Sequence, residues 1–207
     1  MIYVFDLDGT IADSAHVWER VDREILEAHG AYSDDVDLSR MAAMDYDELY
    51  HHLCSIGIVY TDVGALRAET DRRAVYHYAN SVGMIEGADG VVRRCSAKGK
   101  TVLFTDSPQK LYEPFLTRHR LYGYFNRCIC SRDAGLDKKA ASSYRALAEM
   151  LGASVGDMIF FDDSPACLDA ARSAGIYTIG ICGLYQHTDY AVYERSCDKI
   201  IHGWDEV

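Results

Sequence analysis

The sequence predicts an α/β protein: a parallel sheet with crossover helices, interrupted once by a helical insert. Three observations predict it. Apolar runs of strand length recur along the chain, helical patterns lie between them, and residues 14–82 carry helical patterns with no strand among them. At 207 residues the chain can hold a main domain and a smaller insert, and its 49% hydrophobic and 26% charged content is that of a globular protein.

The first strand is Ile2–Phe5. The insert follows, with helices expected over Ser14–His29, Met44–Ser55 and Val63–Tyr78, punctuated by Gly30, Gly57, Gly64 and Gly83. Beyond Gly87 the alternation resumes with helix Ala88–Ala97, strand Thr101–Phe104, helix Lys110–Leu121 and strand Arg127–Cys130. Helix Ala140–Leu151, strand Met158–Phe161, helix Ala166–Ala174, strand Tyr177–Ile181 and a short strand Lys199–His202 complete it. Within Ala140–Leu151, Tyr144, Leu147, Ala148 and Leu151 recur at i, i+3, i+4, i+7, and Gly152 is placed to end the helix. Ser164-Pro165 and Ser107-Pro108 each read as an N-cap followed by proline in the first helical position.

Charge and cysteine usage narrow the function. With 21 basic against 32 acidic side chains the net charge is −11, which argues against nucleic acid as a partner. The apolar run Met1–Phe5 is broken by Asp6, and no stretch is long enough to cross a bilayer, so a soluble cytoplasmic protein without a membrane partner is expected. The 7 cysteines form no Cys-x-x-Cys pair and read as reduced thiols. Cys128 and Cys130 would share one face of a strand, as packing residues do.

Four polar clusters stand at strand ends or helix starts. In Asp6-Leu7-Asp8-Gly9-Thr10, alternation sends both carboxylates to one side, and their repulsion calls for a cation or a shared proton. A capped turn would explain a single such cluster as well. Thr105-Asp106-Ser107-Pro108 offers a hydroxyl and a helix N-terminus, a cradle for an oxyanion. Asp137-Lys138-Lys139 offers a lysine, either of the two, to neutralise a carboxylate and a phosphoryl group. Asp162-Asp163 closes an apolar strand with two acids, whose hard oxygens suit magnesium.

In this order the four clusters resemble the motifs of the haloacid dehalogenase (HAD) superfamily, over nearly the whole chain. The insert directly after the first motif is similar to the phosphoglycolate phosphatase and β-phosphoglucomutase-like branch. The resemblance implies a Rossmann-like core, residues 1–13 and 83–207, with an α-helical cap domain, residues 14–82, and an active site at the carboxyl ends of the strands. It implies Asp6 as nucleophile, Asp8 as general acid and base, and Lys138, six residues before Tyr144, as the catalytic lysine. Thr105 and the amide of Asp106 would hold the phosphoryl oxygens together with Lys138. Magnesium would be bound by Asp6, the carbonyl of Asp8, Asp163 and, directly or through water, Asp162.

The sequence departs from the family at two places: Asp106 stands where asparagine is frequent, and Lys139 where proline is favoured. Asp13-Ser14 reads as a core-to-cap hinge or an N-cap rather than a ligand, and Arg20, Arg40, His51, His52, Arg67, Arg72 and Arg73 are the cap's basic residues. The implied activity is a magnesium-dependent phosphatase acting on a small phosphorylated substrate such as a sugar phosphate, phosphoglycolate or a nucleotide. Asp8 argues against dehalogenation, because the dehalogenases of the family lack that acid. A phosphomutase and a catalytically silent binding protein are the alternatives, and the motif order differs from that of a response-regulator receiver. A monomer or weak homodimer is expected.

Overall fold

The computed structural model describes residues 1–182 and 190–207, which form two compact units, Met1–Ser14 with Gly83–Val207 and Ala15–Val82. The first contains β1 (Ile2–Phe5), β2 (Ala12–Asp13), β3 (Gly83–Met84), α5 (Ala88–Lys98), β4 (Lys100–Thr105), α6 (Gln109–Arg118) and β5 (Arg127–Cys130). It continues through α7 (Ala141–Leu151), β6 (Met158–Asp162), α8 (Pro165–Ala174), β7 (Tyr177–Ile181), α9 (Tyr190–Ser196) and β8 (Lys199–Ile201). The second unit is α1 (Val17–Ala28), α2 (Leu38–Ala42), α3 (Tyr46–Ser55) and α4 (Val63–Asn80).

The first unit is an α/β core built on a parallel six-stranded sheet in the order β5-β4-β1-β6-β7-β8. In the central strand β1, Phe5 pairs with Leu103 on one side and Phe161 on the other, so three strands end side by side. Near-continuous apolar strands are what burial on both faces demands. Val4, Phe104, Ile129, Phe160, Tyr144, Leu147 and Leu168 share one buried cluster, which confirms the apolar stripe read in α7. Elsewhere Phe5 stacks on Phe161 at 4.6 Å and lies 6.0 Å from Trp204, whose indole N–H donates to the Thr10 carbonyl at 3.0 Å.

Several element ends differ from the sequence reading, each for a local reason. Helix α6 stops at Arg118 rather than Leu121, because Arg120 takes a left-handed conformation (φ 57°) and the Leu121 amide turns back to the Leu116 carbonyl at 2.7 Å. Pro108, not Ser107, occupies its N-cap; the Ser107 hydroxyl is used elsewhere. Helix α1 begins at Val17 behind His16, so Ser14 does not cap it either. Ser164 and Pro165 do take the N-cap and first helical positions of α8. The two-residue strands β2 and β3 pair antiparallel, Asp13 opposite Gly83, where the chain leaves for the insert and returns from it.

In the helical unit, α3 starts with a full capping box, Asp45 and Glu48 exchanging bonds with each other's amides. The short α2 rests on an Asp37 cap that accepts from the Arg40 amide at 3.0 Å. Gly64 is a first-turn residue of α4 rather than a boundary. Polar contacts join α1 to α4: His77 Nε2 lies 2.8 Å from Glu24, and Arg73 reaches Glu24 at 3.4 Å and Glu69 at 2.6 Å. Arg20 and Arg72 also sit within 4 Å of Glu24 and Glu69 respectively, so Arg20, Arg72 and Arg73 are all engaged inside the unit. All seven cysteines are free thiols, and no helix among the described residues is long and apolar enough to cross a membrane.

Candidate active site

The first cluster is shaped by the end of β1. The Asp6 amide still donates to the Phe161 carbonyl at 2.9 Å, so its carboxylate stands where the central strand opens. The chain then wraps around the Leu7 carbonyl, which accepts from Ile11 and Ala12 at 2.8 Å each. Gly9 makes the turn at φ 74°, and a Cβ there would sit 2.3 Å from Asp163 Oδ2. Conformation and space both require glycine.

Three carboxylates, those of Asp6, Asp162 and Asp163, bring ligand oxygens within 4.8 Å of one another. Lys138 lies among them, its Nζ 2.5 Å from Asp6 Oδ1 and 2.8 Å from Asp162 Oδ2, and it is 4% exposed. The rings of Phe104 and Phe160 flank the ammonium at 5.9 and 5.6 Å. Lys139 is exposed, its amide donating to Asp137, so Lys138 is the lysine that enters the cluster. Ser143 Oγ accepts from the Asp137 amide at 3.0 Å and fixes the loop that delivers it.

The charges do not balance. Burial pushes the Asp6 carboxyl well above the usual range; Lys138 opposes this, and Asp162, Asp8 and Asp163 reinforce it. Burial, with Asp162, pushes Asp163 up to about 7. Burial alone would lower Lys138, but Asp162 and Asp6 carry it well above the ordinary lysine value. One ammonium is thus shared by an excess of acids, and buried like charges persist only with further positive charge or protons. Asp162 Oδ2 is buried, and among the described residues it has the ion pair with Lys138 but no aligned hydrogen bond. An all-oxygen set with a spare buried acceptor fits a hard divalent cation such as Mg2+.

Asp8 is treated differently. Its carboxylate is outside the three-acid group, and both oxygens accept hydroxyls: Ser14 on Oδ1 at 2.7 Å and Ser107 on Oδ2 at 2.6 Å. Of the sequence-derived metal set, Asp8 therefore has only its carbonyl to offer. Ser14, read as a hinge or cap, is instead a donor to Asp8. Thr105 is buried at the end of β4, its hydroxyl accepting from the Ser107 amide at 3.0 Å. The Asp106 carboxylate accepts from the Ser131 hydroxyl, so what that residue offers an anion is its amide.

The sequence reading missed Ser14, Ser107 and Ser131 as partners of these acids. Isolated serines carry no periodicity, although an acid-rich motif that must hold its carboxylates apart does imply donors nearby.

A model of the haloacid dehalogenase-like hydrolase family matches residues 1–175. Fructose-1-phosphate phosphatase YqaB of Escherichia coli is 23% identical over 181 residues, 86% of this chain and 94% of that protein. Phosphoglycolate phosphatase of Pseudomonas putida is 24% identical over 194 residues, 90% of this chain and 71% of that one. Among solved structures, a Thermotoga maritima protein assigned as a β-phosphoglucomutase superposes with a TM-score of 0.83 at 20% identity, covering 99% of this chain and 95% of its own.

Proposed function

Since the chain belongs to the haloacid dehalogenase-like hydrolase family, we propose that it is a Mg2+-dependent phosphatase that cleaves a small phosphorylated metabolite through an aspartyl-phosphate. The observation that carries this reading is the meeting of Asp6, Asp162 and Asp163 around Lys138 at the mouth of the central strand. Mg2+ would be held by Asp6, the Asp8 carbonyl, Asp163 and Asp162, and when bound it offsets the charge of carboxylates and phosphate. The names of the relatives, phosphatases of fructose 1-phosphate and of phosphoglycolate, support a small substrate.

In the proposed reaction an Asp6 oxygen attacks phosphorus, forming an acyl-phosphate bond as the bond to the ester oxygen breaks. Asp8 gives that leaving oxygen its proton. Asp8, now a carboxylate, takes a proton from water, whose oxygen attacks phosphorus while the bond to Asp6 breaks, releasing inorganic phosphate and restoring the Asp6 carboxylate and the protonated Asp8 carboxyl. Thr105, the Asp106 amide and Lys138 hold the phosphoryl oxygens. The helical insert, residues 14–82, serves as the cap domain and selects the substrate.

The test is phosphate release from p-nitrophenyl phosphate and a panel of sugar phosphates, phosphoglycolate and nucleotides, with and without Mg2+, for wild type and Asp6→Asn. Turnover that needs Mg2+ and vanishes in the variant is expected. Turnover surviving in Asp6→Asn would overturn the covalent route.

A further inference from the structure

The side chains of Asp106 and Ser131 are given no role in the reaction above, yet the first sets an acid inside the loop whose Asp106 amide is assigned to the phosphoryl group. Asp106 lies between Thr105, whose hydroxyl accepts the Ser107 amide at 3.0 Å, and Ser107, whose hydroxyl reaches Asp8 at 2.6 Å. Consecutive Cα atoms are about 3.8 Å apart, so the Asp106 side chain starts one residue from each of these contacts. A carboxylate left free at that point would repel a phosphate dianion.

The carboxylate is not left free: it accepts a hydrogen bond from the Ser131 hydroxyl. Ser131, just past β5, is 0% exposed, and its own amide donates to the Thr105 carbonyl at 2.8 Å. The donor is therefore tied to the end of β4 through its own backbone. Cys130 Sγ, 3.8 Å from the Asp106 carbonyl, closes the same corner from the backbone side.

We propose that Ser131 is a positioning residue: it holds the charge of Asp106 away from the loop, so that the loop meets the phosphoryl group with amides and not with a carboxylate. Ser131 thereby sets the affinity for phosphate without touching it. The inference rests on the phosphatase reading.

The experiment measures calorimetric binding of inorganic phosphate in the presence of Mg2+, with KM and kcat for p-nitrophenyl phosphate, in wild type, Ser131→Ala, Asp106→Asn and the double variant. Thermal unfolding monitors folding of each. Ser131→Ala is expected to weaken phosphate binding and raise KM by about tenfold, with kcat falling far less. In the Asp106→Asn background the same substitution is expected to do neither, because no charge remains to be directed. An unchanged phosphate affinity in Ser131→Ala, or an equal loss in both backgrounds, overturns the inference while wild-type turnover leaves the phosphatase reading standing. A wild-type protein that neither hydrolyses the ester nor binds phosphate overturns both.

Discussion

Single residues in this protein are constrained by what they must not do as much as by what they do. Gly9 must carry no Cβ, since both its φ of 74° and the Asp163 carboxylate forbid one. Gly9→Ala is expected to remove at least nine-tenths of turnover, read as kcat/KM, by displacing Asp163. Tyr144 is the opposite case: its hydroxyl is buried between Phe104 and Phe160 with no hydrogen-bond partner among the described residues. An unsatisfied buried hydroxyl costs about 1–3 kcal/mol, so Tyr144→Phe is expected to raise stability by about 1 kcal/mol in thermal or urea unfolding. A loss of stability would show that the hydroxyl has a partner in solution. At this scale the acids and Lys138 were legible, because each follows an apolar run or opens a helix where a charge needs a reason. The serines were not, since their partners lie 6, 99 and 25 residues away, separations at which no local pattern survives.

At the scale of elements, α1 carries a buried acid that the proposed chemistry does not use. Asp22 is 3% exposed, and burial, with Glu19 adding to it, pushes its carboxyl up to about 7. A raised folded-state value means that the folded protein holds the proton more tightly than the unfolded chain. The associated stability is then complete below about pH 4 and is lost as pH rises through about 7. The interval of about three units corresponds to at most about 4 kcal/mol. Asp22→Asn is expected to be more stable than wild type at pH 8, and the two are expected to converge toward pH 5 in urea titrations. Equal stabilities at pH 8 would place the Asp22 proton elsewhere. The strands and long helices were readable because apolar runs and 3.6-residue spacing extend over several residues. Element ends were not: the left-handed Arg120 that halts α6 looks like any other surface arginine, and β2 and β3, two residues each, are too short for any period.

On the scale of the whole molecule, the parallel sheet and its helical insert were foreseen from the alternation of strand and helix and its one interruption. The order of strands across the sheet was not, because it depends on contacts between segments far apart in the chain. Residues 15–82 form a compact unit of their own, separate from Met1–Ser14 with Gly83–Val207, and the β2–β3 ladder sets Asp13 opposite Gly83. Replacing residues 15–82 by a short glycine-serine turn is therefore expected to leave a folded core with cooperative thermal unfolding. A molten circular-dichroism signature would show that the core needs the insert to fold.

The central place of β1 also has a consequence for how the protein is made. Strand β1 leaves the ribosome before the other strands of its sheet, and both of its neighbours, β4 and β6, begin only at residues 100 and 158. At about 5–20 residues per second it waits about 5–20 s for the first of them. Throughout that interval the nascent chain presents an unpaired apolar strand to whatever binds such segments. The insert, whose helices need no distant partner strand, is complete well before the sheet that gathers Asp6, Asp162 and Asp163 can close.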